Sequence, residues 1–119
     1  MIFNIRVTGV TVDNRQKLLE KLSKRPQNHA YKFRLQKEPE NEYDPFAIAV
    51  YSEDLNKKIG YVPKDINQLV NEKLDSGAKF NVSGDIVGGY SGKFYGVVLK
   101  CEVENDNDFA DIFVGVKND

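Results

Sequence analysis

The segment from Glu38 to Asp44 places a carboxylate at every second position. This spacing could gather acidic side chains to bind a cation or to exchange protons with a substrate. The neighbouring residues Pro39, Asn41 and Pro45 are turn formers, which favours a solvated turn over a catalytic cluster. The four carboxylates belong to Glu38, Glu40, Glu42 and Asp44.

Other residues with reactive side chains are few. The chain has one histidine, His29, and one cysteine, Cys101, which cannot supply the tetrahedral ligand set of a zinc site. Cys101 lies on the apolar face of a predicted strand, where a thiol packs as a small hydrophobe. Residues 106–108 resemble the start of a calcium loop but lack its glycine and terminal glutamate. We therefore expect no metal, no cofactor and no enzymatic activity.

Gly92 and Lys93 are similar to the end of a phosphate-binding loop. In that loop a first glycine would fall at position 87, which is Val87, and a Ser or Thr would stand where this chain has Phe94. ATP hydrolysis by this chain alone is therefore not expected.

A rigid turn before a buried strand is predicted around Tyr43 and Asp44. The flanking prolines and Asn41 indicate the turn, and the apolar run Ala47–Tyr51 indicates the strand. After a second turn at 52–56, residues 58–63 are predicted to form the partner strand of a hairpin. The prolines are expected to hold Tyr43 and Asp44 outward.

The remaining strands follow from alternation of apolar and polar residues. They are predicted at Ile2–Val10, Ala30–Lys37, Lys79–Val87 and Tyr95–Val103, with a possible last strand at Asp111–Val116.

Two short amphipathic helices complete the prediction. The first carries Leu18, Leu19 and Leu22 on its apolar face, begins at a cap formed by Asp13 or Asn14, and ends at Pro26. The second carries Ile66, Leu69, Val70 and Leu74, with Asp65 as the predicted cap and Gly77 as the predicted stop.

This order of elements predicts a mainly β (α+β) fold. Short strands joined by short turns favour a small OB-like β-barrel of about six strands with two short helices, because closure removes exposed edges. An α+β sheet with both helices on one face is the alternative. A chain of 119 residues is expected to form a single domain over 1–119, in which roughly the last 15 residues are an acidic loop and a possible extra strand.

Composition narrows the cellular setting. The hydrophobic fraction of 40% and the charged fraction of 29% are typical of a globular protein. The N-terminus lacks the pattern of a signal peptide, and no apolar run approaches the length of a membrane span. With one cysteine, a reducing compartment is the simplest expectation, so we predict a cytoplasmic protein without membrane contact.

Charge is distributed unevenly although the net charge is −1. Residues 1–37 hold nine Lys or Arg against two acids, which leaves a net charge of −8 for residues 38–119. A solvated helix face and an acidic tail explain this asymmetry, and a basic patch that binds nucleic acid is the alternative.

Several motifs together resemble the HIRAN domain, a module found at the N-terminus of certain SNF2-type helicases and in small free-standing bacterial and phage proteins. The similarity rests on EPENEYDPFAIAV, on KKIGYVPKD, on the opening VTGVTVDNRQ, and on the glycine turn 88–92 with the strand that follows. It extends over nearly the whole chain.

The resemblance implies an OB-like barrel that binds DNA, and in the helicase-linked members captures the 3′ end of a single strand. In this chain Tyr43 would stack on a terminal base and Asp44 would accept a hydrogen bond from the 3′-hydroxyl. Lys64 matches a lysine that contacts the DNA backbone, and Phe94 matches a second aromatic that supports a base.

One departure from the family pattern bears on affinity. Helicase-linked members carry an Arg-Tyr pair shortly after the first strand, where this chain has Thr11 and Val12. Asn14 and Arg15 are the candidates to replace that pair. Two functions follow: a DNA-binding module for single-stranded DNA 3′ ends, working beside a separate helicase or nuclease, or a protein-interaction or structural module that has lost DNA binding.

Overall fold

A computed structural model describes residues 1–25 and 30–104, which contain six strands and two helices. The predicted strand at 111–116, most of the predicted acidic loop, Pro26 and His29 lie outside these residues. In chain order the elements are β1 (Ile2–Arg6), α1 (Arg15–Ser23), β2 (Tyr31–Lys37), β3 (Ile48–Ser52), β4 (Lys57–Tyr61), α2 (Asn67–Asp75), β5 (Lys79–Gly88) and β6 (Tyr95–Glu104).

The six strands form one antiparallel sheet in the order β1-β6-β5-β2-β3-β4. The predicted β3–β4 hairpin is confirmed, with an irregularity in register between Val50 and Tyr51. Strand β2 joins the two halves of the sheet, because its first residues, Tyr31 and Lys32, pair with β5 and the residues from Phe33 onward pair with β3.

The sheet is not closed by a continuous ladder between β1 and β4. A single bridge joins Thr8 to Tyr61, and each backbone N–H donates to the other residue's carbonyl at 2.9 Å. The fold is therefore OB-like, as predicted, but only partly closed. The prediction that the first strand continues to Val10 is wrong, because the chain leaves β6 after Val7 and turns at Gly9, which has a φ of +73°.

The core joins the sheet to the two helices. The predicted apolar run of β3 and the apolar face of β6 are buried, and Leu19 and Leu22 belong to the same cluster, with α1 in contact with β4 and β6. Helix α2 contributes Val70, with Ile66 and Leu74 partly buried at its edge. The prediction for Leu69 is wrong: its side chain is 58% exposed, because α2 turns Asn67 and Val70 inward instead.

The two helices are short, nine residues each, and neither carries the predicted side-chain cap. Asn14, one of the two predicted residues, occupies the N-cap position of α1 but makes no side-chain cap hydrogen bond. Ile66 occupies the N-cap position of α2, so the prediction of Asp65 there is wrong. Gly77, at a φ of +82°, follows α2 as predicted. Within residues 1–25 and 30–104, no helix is long and apolar enough to cross a membrane.

Candidate functional site

A surface pocket of about 380 Å³ opens at the seam where the sheet is incompletely closed. The seam residues Thr8 and Tyr61 line it, together with the segment that precedes α1, the turn before β3 and the start of α2. It contains four of the six residues predicted as a site: Arg15, Tyr43, Asp44 and Lys64.

The turn before β3 is held by the side chain of Asn41. Its Oδ1 accepts hydrogen bonds from the backbone N–H groups of Tyr43, at 2.9 Å, and Asp44, at 3.0 Å. This is the Asx-turn arrangement, in which an asparagine side chain replaces a backbone acceptor. Tyr43 stands on this support with 86% of its surface exposed, so its ring is free to stack on a ligand.

Asp44 is fixed through both of its carboxylate oxygens. Oδ1 accepts from the backbone N–H of Phe46 and Oδ2 accepts from Nδ2 of Asn67, each at 2.8 Å. The hydrogen bond from Phe46 and then that from Asn67 lower the pKa of Asp44 below its ordinary value; desolvation opposes them, and the positive charge of Lys64 adds a smaller lowering effect. The carboxylate is therefore ionised at neutral pH, and each oxygen retains lone pairs for a further donor.

Beneath the turn lies a network centred on Glu38. Its Oε2 is 2.7 Å from Nζ of Lys58, while Oε1 accepts from the hydroxyl of Tyr61 at 2.8 Å and from Nδ2 of Asn41 at 3.0 Å. Partial burial raises the pKa of Glu38, but the hydrogen bonds from Lys58, Asn41 and Tyr61 outweigh it, so the pKa is lowered. Glu38 thus supports Asn41, and Asn41 supports Tyr43 and Asp44.

The four alternate carboxylates do not converge. Glu38 lies under the turn, Asp44 bonds toward α2, and Glu40 and Glu42 are exposed. Among residues 1–25 and 30–104, no group of three or more His, Cys, Asp or Glu side chains is placed to hold a metal ion.

Arg15 is more constrained than a free phosphate-binding residue. Its side chain is 11% exposed, Nη1 donates to the carbonyl of Gly9 at 2.7 Å, and its guanidinium carbon lies 5.6 Å from the centroid of the Tyr61 ring. Arg15 therefore contributes positive charge to the wall of the pocket while it holds the loop. Asn14, although exposed, does not line the pocket.

Phe94 lines a second surface pocket of about 420 Å³, together with Arg6, Tyr90 and Lys93. Its ring is 70% exposed. The two pockets flank the same segment of chain, because Val7 and Val10 line the second while Thr8 and Gly9 line the first. The structure therefore places Phe94 beside the Tyr43 pocket and not in it.

The model of the HIRAN domain family matches residues 3–108. The chain belongs to the HIRAN domain family. The predicted resemblance is thus confirmed. No curated protein sequence matches the chain.

Two solved structures are similar to this HIRAN domain. A crystal structure of the HIRAN domain of human HLTF has 18% sequence identity and a TM-score of 0.59, and the match covers 92% of this chain and 81% of that chain. A crystal structure of a protein from Lactobacillus plantarum has 22% identity and a TM-score of 0.56, covering 83% of this chain and 91% of that one. At these identities the likeness concerns the fold.

The sequence did not identify three residues as parts of the candidate site. Asn41 was predicted only as a turn former, although an asparagine two residues before Tyr43 is a typical Asx-turn signal. Tyr61 was expected only as part of a hairpin strand, yet it lines the pocket. Asn67 gives no sequence signal, since its bond to Asp44 joins residues that are far apart along the chain.

Proposed function

We propose that this HIRAN domain binds single-stranded DNA and recognises its 3′ end in the Tyr43 pocket. Family membership supports the broader role of a DNA-binding module, and HIRAN domains are generally binding modules without catalytic activity. The observation that carries the finer proposal is an ionised, doubly anchored carboxylate, Asp44, next to an aromatic ring, Tyr43, that is exposed above the same pocket.

Tyr43 is suited to hold a terminal base. An aromatic face stacks on any base and contributes about 1–3 kcal/mol, which gives sequence-tolerant binding. Because Asn41 already fixes the backbone of the turn, little conformational freedom is lost when a base arrives. A volume of about 380 Å³ lies within the range of small-ligand pockets.

Asp44 is suited to read the chemical end of the strand. A carboxylate accepts a hydrogen bond from a free 3′-hydroxyl, and it repels the phosphate that continues an internal nucleotide. Its two protein donors hold it in one orientation, so it does not need to reorganise on binding.

Basic side chains around the pocket are suited to the phosphates of the preceding nucleotides. Lys64 is exposed on the rim, and Arg15 provides a fixed positive charge in the wall. Phe94, in the neighbouring pocket, would support a base further from the end. Asn14 remains a predicted backbone contact outside both pockets, and a separate helicase or nuclease remains the predicted working partner.

One observation favours the alternative of a protein-interaction or structural module. Two basic side chains of β2 are paired with acids, because Arg34 pairs with Glu53 at 3.0 Å and Lys37 pairs with Asp75. Arg34 also stacks on Tyr51, 4.7 Å from the ring centroid. The broad basic surface of a general DNA-binding protein is thus reduced, and binding would depend on the pocket.

A titration of labelled single strands ending in a 3′-hydroxyl or a 3′-phosphate tests the proposal. The hydroxyl strand should bind at least about tenfold more tightly, since a hydrogen bond to a charged group contributes about 1.5–3 kcal/mol. Strands that differ only at the 5′ end are the control and should bind equally. Asp44→Ala should reduce the difference in affinity between the 3′-hydroxyl strand and the 3′-phosphate strand. Equal binding of both 3′ ends would contradict end recognition, and no binding of either would favour the alternative module.

A further inference from the structure

A mostly apolar groove lies between β1 and α2 and shares no residue with the two pockets described above. Its volume is about 240 Å³, and its walls are mostly apolar, formed by residues such as Met1, Phe3, Leu69 and Val70. The side chains of Met1 and Leu69 are each 58% exposed, and the adjacent Ile2 is 61% exposed. Exposed apolar side chains that cluster around a groove typically mark a docking surface.

The backbone beside this groove is also available for pairing. The backbones of Met1 and Val103 form two hydrogen bonds with each other, at 3.3 and 2.8 Å. The backbone N–H and C=O groups of the odd-numbered residues of β1 therefore point toward β6. The backbone groups of Ile2 and Asn4 therefore face away from β6. In the part of the chain that the structure describes, no strand pairs with this outer edge of β1 before Thr8. An open edge of this kind is a template for another segment.

The chain itself supplies a segment of suitable composition at this place. Strand β6 ends at Glu104, and Val103 lies directly beside Met1, so the described chain ends next to the groove that Met1 lines. Residues 109–116, FADIFVGV, are apolar at six of eight positions. The four residues 105–108 can span at most about 13 Å, enough to pass from the end of β6 to a groove that Met1 lines.

Two further observations connect this segment with the groove. The family model ends at residue 108, so the apolar segment 109–116 lies outside the residues that match the HIRAN domain family. The segment carries Asp111 and follows the acids Asp106 and Asp108, while the groove is lined by Lys73 and by the N-terminal residue. Its charge is thus complementary to that of the surface.

We propose that residues 109–116 dock in the β1–α2 groove of their own chain, covering its apolar wall and the open edge of β1. This docking adds a C-terminal element to the family fold. The docking involves neither Tyr43 nor Asp44. The docking proposal and the DNA-binding proposal can therefore each fail without affecting the other.

Disulfide trapping in the full-length chain tests the proposal. One variant combines Leu69→Cys with Phe113→Cys, and a second replaces Phe113→Cys by Ile112→Cys, because neighbouring residues of an extended segment face opposite ways. Burial raises the pKa of the native Cys101 thiol to about 11, so it does not compete. The control pair, Glu20→Cys with Phe113→Cys, joins the segment to an exposed position on α1. In dilute protein, at least one of the two test pairs should form an intramolecular disulfide more than about tenfold faster than the control pair.

The results distinguish docking of the chain's own segment from docking of a second copy in the groove. Rates equal to the control in both variants would overturn the proposal. Disulfide-linked dimers in place of the intramolecular product would also overturn it, by showing that a second copy fills the groove.

Thermal unfolding gives an independent measurement without cysteines. Phe113→Asp should lower the Tm of the full chain by about 4 °C or more, because an apolar contact is replaced by a buried charge. Asn118→Asp adds the same charge outside the segment and should leave the Tm unchanged. Equal Tm values for Phe113→Asp and the parent chain would count against docking.

Discussion

Two turns of this HIRAN domain present an exposed aromatic ring, and they are built in different ways. The turn at 38–46 carries Tyr43 and is anchored by side chains, with Asn41 and Asp44 accepting backbone N–H groups and Asn67 bonding Asp44 from α2. The turn at 88–94 carries Phe94 and is shaped mainly by backbone conformation, through glycines at positive φ and two backbone hydrogen bonds. The side chain of Gln16 bonds both backbone groups of Tyr95, just after the turn.

The glycine turn is specified by steric limits. A Cβ on Gly89 would lie 2.1 Å from the ring of Tyr95, so no other residue fits there without displacement. No side-chain hydrogen bond is found within residues 88–94 that orients the ring of Phe94, whereas the backbone under Tyr43 is fixed by three side chains. The comparison indicates that Tyr43 is preorganised for a ligand and that Phe94 must be ordered by one, at a cost in binding free energy.

The largest expected effect comes from removing the preorganised ring. Tyr43→Ala should weaken binding of single-stranded DNA by about 1–3 kcal/mol, roughly 5- to 150-fold, for strands with either 3′ end. Phe94→Ala should weaken it less, because part of its stacking energy offsets the ordering of its turn. Fluorescence anisotropy with a short labelled strand measures both.

Tyr51→Ala serves as the control for loss of an aromatic residue outside both pockets, since Tyr51 lies on β3 and stacks with Arg34. If Phe94→Ala costs as much affinity as Tyr43→Ala, then the difference in anchoring between the two turns does not govern binding.

The sequence predicted most of the strands. One face of each strand is buried, and apolar residues therefore alternate with polar residues along it. Strand β6 is an example: alternation along Tyr95–Val103 puts Val97, Leu99, Cys101 and Val103 on one face, and all four are buried. The predicted hairpin is present for the same reason. Leu69 shows the limit of this reasoning, because an apolar residue at helical spacing is buried only if another element covers it.

The site was predictable only in part, since its support is tertiary. Tyr43, Asp44 and Lys64 were found through the family motifs and share one pocket. The position of Arg15 under Tyr61 depends on the bridge between Thr8 and Tyr61, which joins distant parts of the chain. Periodicity carries no information on such a contact.

The second prediction removes the anchor and keeps the ring. Asn41→Ala deletes the acceptor for the N–H groups of Tyr43 and Asp44 and should weaken DNA binding by about 1 kcal/mol, roughly fivefold, because the turn must then be ordered on binding. Asn71→Ala is the matched control: Asn71 donates to the carbonyl of Phe46 at the other end of the turn, outside the pocket. It should change affinity less. An Asn41→Ala protein with unaltered affinity would show that preorganisation of Tyr43 is unimportant.

The third prediction concerns charge at the rim of the same pocket. Lys64→Ala should lower affinity a few-fold at low salt and should reduce the slope of log K against log salt concentration by about 1, because one phosphate contact is lost. Lys57→Ala, at an exposed position on β4 that does not line the Tyr43 pocket, should leave the slope unchanged. Equal slopes for Lys64→Ala and the parent chain would exclude Lys64 as a phosphate contact.

The smallest expected effect is on the pH dependence of stability, through the network beneath Tyr43. Because the folded-state pKa of Glu38 lies below 4.5, ionised Glu38 stabilises the fold above that pH, and this stabilisation is lost as the pH falls through the folded-state pKa. Desolvation lowers the pKa of Lys58, but Glu38 and Tyr61 together outweigh it and raise the pKa above 10.5, so the lysine stays charged throughout this range.

Glu38→Gln removes this contribution while keeping a side chain of similar size. The parent chain should therefore be more stable than the variant near neutral pH, by at most about 1 kcal/mol for a partly exposed pair, and the difference should shrink as the pH falls through the lowered folded-state pKa of Glu38. Thermal unfolding at a series of pH values measures it. A stability difference that stays constant from neutral to acidic pH would mean that Glu38 acts through packing and not through its charge. In that case Lys58 would contribute nothing to the support under Tyr43, and the contrast with the glycine turn would rest on Asn41 and Asp44 alone.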